Sequence, residues 1–323
     1  TDSAHLEYWS GSVWLEFEAT SEELGDQNNS NSTGGTGTRA VFAGGYTPTL
    51  TRKIDYISVS TLGNAQDFGD MTADFRSSGQ CASRTRGLMG GGFTTGNLSD
   101  IDRIIIASTG NAVDTGGNLT VARHNIGSCS NQTRGIFSGG VDPASNDTVD
   151  FVEIASDGNA VDFGNLIAAI QGTSDFASSI RGLIMGGTGP ATNVIQYITL
   201  STTGNTQDFG DLTDTGNCAG ASSNATRGVY GGRTGVNNAI DFMTIATTGN
   251  AQDFGDLTLA RTGTSGAASP TRGVFAGGQN PDGKHNTIDY IEFASTGNAK
   301  DFGDLDQARS YGYGGMSNGH GGL

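Results

Sequence analysis

Lysine is scarce in this chain: Lys53, Lys284 and Lys300 are the only three, and 17 basic residues face 33 acids, for a formal charge of −16. No basic footprint for nucleic acid or for an anionic membrane surface exists. Cysteine is almost as rare. Cys81, Cys129 and Cys218 make an odd number with no C-x-x-C pair, which signals neither a disulfide framework nor a zinc site. His5, His124, His285 and His320 are scattered, without the i, i+4 spacing of a zinc helix or a carboxylate partner in sequence, so neither metal nor general-base use is indicated. No apolar run approaches the ~20 residues of a membrane-spanning helix, and we expect no membrane insertion. The opening Thr-Asp-Ser-Ala-His does not read as a signal peptide, and the missing initiator Met suggests a processed or truncated chain. Proline is scarce too, with five residues against 53 glycines, a balance that fits many short strands joined by tight turns.

From Thr38 onward one phrase recurs six times: Thr-Arg-Gly-Val-Phe-Ala-Gly-Gly, a variable loop, Ile-Asp-Tyr-Ile, then Gly-Asn-Ala-x-Asp-Phe-Gly-Asp-Leu. Its arginines are Arg39, Arg86, Arg134, Arg181, Arg227 and Arg272. A period of about 45 residues suits one four-stranded propeller blade per repeat, so the expected fold is all-β, a six-bladed β-propeller with four-stranded antiparallel blades. Four strands, A to D from the axis outward, can be placed in each repeat. Strand A is small and polar, as at Gly266-Ala267-Ala268-Ser269, because strands crowd at the axis. Cys81 and Cys129 fall there and read as packing residues. Strands B and C are near-continuously apolar, with Ile104-Ile105-Ile106 the extreme, as sheets packed on both faces require.

The first repeat has no strand A before Arg39, whereas Ala308-Arg309-Ser310-Tyr311-Gly312 matches the Ala122-Arg123 and Ala260-Arg261 segments that lead into strand A elsewhere. The C-terminal strand should therefore close the first blade and remove its open edge. Residues 1–26 read as a hairpin and attachment segment, 27–37 as a Ser/Asn/Thr/Gly linker, and 38–323 as the propeller. The hairpin carries Tyr8, Trp9, Trp14 and Phe17, which we expect to dock on a partner chain, on an upstream domain or on the propeller flank, since two strands alone are marginal.

The Gly-Gly pair, the later aromatics and an Ala-Arg such as Ala260-Arg261 resemble the kelch repeat over residues 38–323. Phe68, Phe163, Phe209, Phe254 and Phe302, with Thr115, stand where kelch repeats carry Trp, and Gly231-Gly232 sits one residue early. The T-R-G-x-F-x-G-G and G-N-A-x-D-F-G-D-L phrases look like repeats of tailed-phage virion proteins. The opening Leu-Glu-Tyr-Trp-Ser-Gly-Ser-Val-Trp-Leu-Glu is similar to a short motif of phage fibre and appendage proteins. The resemblance implies a virion structural protein on the particle surface, partnered by other virion proteins, homo-oligomeric, and contacting host-surface glycan. A kelch-type protein-interaction adaptor and a secreted carbohydrate-binding propeller are the alternatives.

Enzymatic readings find no residues. Asp-Phe-Gly occurs five times without a catalytic loop or phosphate loop around it, and Gly315-Met316-Ser317-Asn318-Gly319 has no following helix to form a nucleophile elbow. We expect no enzyme and no cofactor. Asp67, Asp114, Asp162, Asp208, Asp253 and Asp301 recur once per blade, as the arginines do, which suggests an Arg–Asp bridge; calcium held with Asn64 and Asp70 is the weaker alternative. Recognition should lie in the variable B–C loops, on one face with the D-to-A connections. The candidates are Tyr46 and Phe93, which could stack on sugar rings, with Asp282, Lys284 and His285.

Overall fold

The computed structural model describes residues 6–9, 14–17, 38–235, 237–312 and 314–323. The chain divides into two compact units, 1–37 and 38–323. In the first, Leu6–Trp9 and Trp14–Phe17 pair antiparallel, with Trp9 opposite Trp14 and Leu6 opposite Phe17. Tyr8, Trp9, Trp14 and Phe17 thus lie on a hairpin. The expected linker at 27–37 is outside the described residues.

The second unit is a six-bladed β-propeller of four-stranded antiparallel sheets, with no helix among the described residues. Blade 4 is representative, with strand A at Ser174–Ala177, B at Arg181–Met185, C at Val194–Thr199 and D at Gln207–Asp211. Blade 1 takes its strands B to D from Arg39–Ala43, Lys53–Ser58 and Gln66–Asp70. Its strand A is Met316–Ser317 from the C-terminus, paired with Val41 and Ala40. The expected closure is present. Beyond that strand the tail crosses the axis: His320 Nε2 lies 2.8 Å from Ala82 O of blade 2, and Gly321 N–H donates to Ser223 O of blade 5.

The core is divided among the seams between blades. Each of six apolar clusters joins two neighbours, as where Leu183, Met185 and Phe209 of blade 4 meet Tyr230, Met243 and Ile245 of blade 5. Strands B and C are consequently buried on both faces. The repeated Gly-Asn-Ala phrase is also a seam device, since Asn111 Oδ1 accepts from Asp70 N–H of the preceding blade and Asn250 Oδ1 from Asp211 N–H. The glycine of Asp-Phe-Gly is required there: Gly69 has φ +145°, and a Cβ on it would stand 2.5 Å from Gly110 O of the next blade.

The expected Arg–Asp bridge does not form. Asp67, Asp114, Asp162, Asp208, Asp253 and Asp301 are exposed on strand D. Strand C stands between B and D, which separates them by about 10 Å, and an aromatic of strand C intercepts the guanidinium. Arg134 stacks over Phe151, 4.6 Å from the ring centre, and donates to Leu200 O of the next blade at 2.9 Å. Blades 1, 4, 5 and 6 repeat the pattern with Tyr56, Tyr197, Phe242 and Tyr290. In blade 2 the ring is replaced by Arg103, and Arg86 and Arg103 share Asp157. Asn64 Oδ1 accepts from Asp304 N–H of blade 6, the same seam bond that Asn111 and Asn250 make.

The buried ion pairs use other residues of the repeat. Arg123, Arg261 and Arg309 of the Ala-Arg segments reach the strand-C aspartates Asp150, Asp289 and Asp55 of the following blade, at 2.8–3.1 Å. Blade 5 achieves this with two residues exchanged. Gly216 occupies the arginine position, Arg233 occupies the second position of the Gly-Gly pair, and Arg233 Nη1 lies 2.8 Å from Asp241. A Cβ on Gly216 would meet the Arg233 side chain at 2.7 Å. The seam into blade 4 is neutral, with Ile170 at the arginine position and Gln196 at the aspartate position, and the seam into blade 2 has Phe75 and Asp102 at those positions.

Candidate functional site

The D-to-A connections meet at one mouth of the axis. There Ser77, Asn125, Gly172, Cys218, Gly263 and Tyr311 occupy equivalent places, all with positive φ between 55° and 71°. Each donates its backbone N–H to the carbonyl of its counterpart in the preceding blade, at 2.8–3.1 Å, and Ser77 completes the circuit by donating to Tyr311. Four of the six are not glycine, and each such left-handed residue costs on the order of 1 kcal/mol. The closed ring of six hydrogen bonds holds them in place.

The residue before five of the six ring members forms a bridge to a B–C loop, and Asn217, before Cys218, accepts from Thr234 N–H. Bridges join Arg76 to Phe93, His124 to Val141, Gln171 to Thr188, Thr262 to Gln279 and Ser310 to Tyr46. The B–C loops and D-to-A connections therefore share one face, as expected. On the side of blades 4 and 5 this second tier carries Gln171, Thr188, Asn217 and Thr234, small or uncharged throughout.

The side of blades 6, 1 and 2 differs in chemistry. Lys284 Nζ sits 4.4 Å from the Tyr46 ring centre. The Arg76 guanidinium carbon stands 5.3 Å from Tyr46, 5.7 Å from Phe93 and 5.8 Å from Tyr311. Phe93 in turn packs on His124 at 4.9 Å. Burial and the nearby Arg76 charge hold the His124 imidazole below its ordinary range, so it is neutral near pH 7. Tyr311 is fixed by Gln279, whose Nε2 donates to Tyr311 Oη at 2.6 Å. All of these side chains are partly exposed. Cations beside aromatic faces gain from the ring quadrupole, about 0.5–1 kcal/mol each at exposed sites.

The axis itself offers little room. Strands A and the C-terminal tail leave a cavity of about 40 Å³ lined by Gln80, Ser128, Asp175 and His320 among others. That holds a few waters and is far below the ~300 Å³ of a typical ligand site. Burial pushes the Cys81 thiol beside it up to about 12, which makes it an inert packing group. Among the described residues no group of three or more His, Cys, Asp or Glu gathers as a metal site.

Of the residues singled out from sequence, Tyr46, Phe93 and Lys284 come together around Arg76. Asp282 does not join them; it is exposed in the turn of a small hairpin and its N–H is held by Asn280 Oδ1. His285 is half-buried, its backbone bonded to Gly278 and Arg309. Sequence reasoning missed Arg76, His124 and Tyr311, which lie on the D-to-A connections. The available signal was Phe75-Arg76, where the arginine falls one residue later than in the Ala-Arg segments. No protein-family model and no curated protein matches this chain.

Proposed function

We propose that this chain is a non-enzymatic recognition and assembly scaffold of a virion appendage, a kelch-like propeller that presents its mouth to host-surface glycan. The carrying observation is the aromatic and cationic sector formed by Tyr46, Phe93, Arg76, Tyr311 and Lys284 on an otherwise uncharged second tier. Aromatic faces stack on the C–H faces of sugar rings, and a rigid ring beneath them lowers the ordering cost of binding. The virion assignment rests on the phage-like repeat phrases and the opening motif.

Assembly with other virion proteins has its own support. Strand D begins with Gln66, Gln207, Gln252 or Lys300 in four blades but with Val113 and Val161 in adjacent blades 2 and 3, and both valines are exposed. Homo-oligomerisation through the hairpin of Tyr8, Trp9, Trp14 and Phe17 completes the reading.

A glycan array probed with the whole chain tests it. We expect binding to a restricted set of glycans that falls at least tenfold in Tyr46→Ala and Phe93→Ala, with melting temperature little changed. Equal binding by wild type and both variants, or none by wild type, would refute recognition at this mouth.

A further inference from the structure

The other half-buried and buried arginines of this propeller have partners. Those of strand B are held by carbonyls of the next blade, Arg103 by Asp157, and Arg123, Arg233, Arg261 and Arg309 by buried carboxylates. Arg76 is different. Its backbone is bridged to Phe93, yet its side chain makes no hydrogen bond or ion pair with any described residue, and its Nε is buried without a partner. A guanidinium donates five hydrogen bonds in a planar fork, and leaving such a group half-buried and unpaired is unfavourable. In a chain of net charge −16 carboxylates are plentiful, so the unpaired fork marks a place kept open for an incoming anion.

Two features of the surroundings narrow the anion. Among the described residues the inner mouth offers no free backbone edge: the N–H and C=O groups of the six ring residues pair with one another, and the residues outside them pair across the loop bridges. An acidic peptide that binds by strand addition has nothing to pair with. What remains are aromatic rings, Tyr46, Phe93 and Tyr311, disposed around the guanidinium within 6 Å, with Lys284 Nζ 4.4 Å from the Tyr46 ring centre. A ligand matched to this carries a carboxylate on a rigid ring with apolar faces.

We propose that Arg76 is the carboxylate receptor of a site for acidic saccharides: the sugar acid's carboxylate pairs with the Arg76 fork while its ring stacks on Tyr46 or Phe93, with Lys284 adding a second positive charge. This rests on the glycan reading above and specifies its ligand class. The cost of bringing an anion to an acidic particle is met locally by a charge-assisted pair, which a neutral sugar cannot form.

The test uses matched ligands that differ in charge alone. Oligogalacturonate and sialyllactose are titrated against the whole chain by calorimetry or ligand-observed NMR, each beside its methyl ester. We expect the acids to bind at least tenfold more tightly than the esters. Arg76→Gln should abolish that ratio with at most a modest fall in melting temperature, because Arg76 makes no hydrogen bond or ion pair with a described residue and loses only its exposed ring contacts. Lys284→Gln should reduce the ratio without abolishing it, and Tyr46→Ala should weaken acid and ester together. Equal affinity for acid and ester in wild type, or a ratio that survives Arg76→Gln, overturns the proposal and leaves glycan recognition standing. Binding of polyglutamate peptide with no saccharide bound overturns both, as does no binding at all.

Discussion

Gly216 and Arg233 exchange the places that glycine and arginine hold in other blades, and the guanidinium still reaches the strand-C aspartate of its seam. What four of the six seams maintain is thus a positive charge at a point in space, whichever residue delivers it. Such a pair stabilises little relative to an apolar substitute, but removing one partner strands the other, at a cost of about 3–5 kcal/mol. Arg123→Ala should therefore destabilise the propeller by that amount, since Arg123 and Asp150 are both out of solvent and Arg123 also donates to Gly139 O and Phe137 O. Asp102 supplies the contrast. Phe75 stands at its seam's arginine position, it accepts only from Thr72 among the described residues, and burial raises its carboxyl above the usual range. Asp102→Asn keeps an acceptor for Thr72 and removes an unpaired buried charge, so it should be neutral or stabilising by up to about 1 kcal/mol. Urea titration of the two variants distinguishes them. A loss with Asp102→Asn as large as with Arg123→Ala would mean that the seam charge is not what matters.

The shortest strand has the largest topological task. Met316–Ser317 completes blade 1, buries Met316 in the cluster between blades 1 and 2, and lets Ser317 Oγ donate to Ala268 O of blade 6. A chain ending at Gly315 loses that burial, about 2 kcal/mol for one Met side chain, together with the contacts of His320 and Gly321 to blades 2 and 5. We expect the melting temperature of the whole propeller to fall by at least about 5 °C, given roughly 2–4 °C per kcal/mol at this size. An unchanged melting temperature in scanning calorimetry would contradict closure by the tail. The closure was legible in advance because Ala308-Arg309 copies a phrase used elsewhere in the chain. Strands B and C were legible for the same reason, their apolar runs recurring at a fixed interval. The tail beyond was not: Gly319 to Gly322 carries no periodicity, and its role depends on Ala82, Ser130 and Ser223, remote in sequence. The Arg–Asp bridge failed because equal counts per repeat give stoichiometry without distance. The ring of Ser77, Asn125, Gly172, Cys218, Gly263 and Tyr311 left no trace, since a backbone conformation held in common by unlike residues writes no common letter. Arg76 was obscured similarly, standing one place outside the pattern that drew attention to the other arginines.

Around the closed axis the fold encloses groups whose titration couples its stability to pH. Asp175 on strand A of blade 4 is almost fully buried; it accepts from Ser138 Oγ at 2.6 Å, its other oxygen has no partner, and burial raises it to about 7. Its unfolded value is 3.8, so between those limits the folded chain keeps a proton that the unfolded chain releases. The stability linked to that proton is full below about pH 4 and is lost as pH rises toward 7. His320 in the tail has the opposite sign. Burial lowers it from 6.5 to about 4, so its share is full above pH 6.5 and is lost as pH falls toward 4. The two groups lie along the same cavity, and substituting either should tilt the profile in its own direction. Asp175→Asn preserves an acceptor for Ser138 and removes the ionisation, which at about 1.4 kcal/mol per pH unit over the span from 3.8 to about 7 should stabilise the protein by roughly 4 kcal/mol at pH 8. The gain should shrink steadily below pH 7 and vanish near pH 4. Thermal melts of wild type and Asp175→Asn across that range decide the matter, because a gain that stays constant with pH would show that Asp175 does not hold a buried proton.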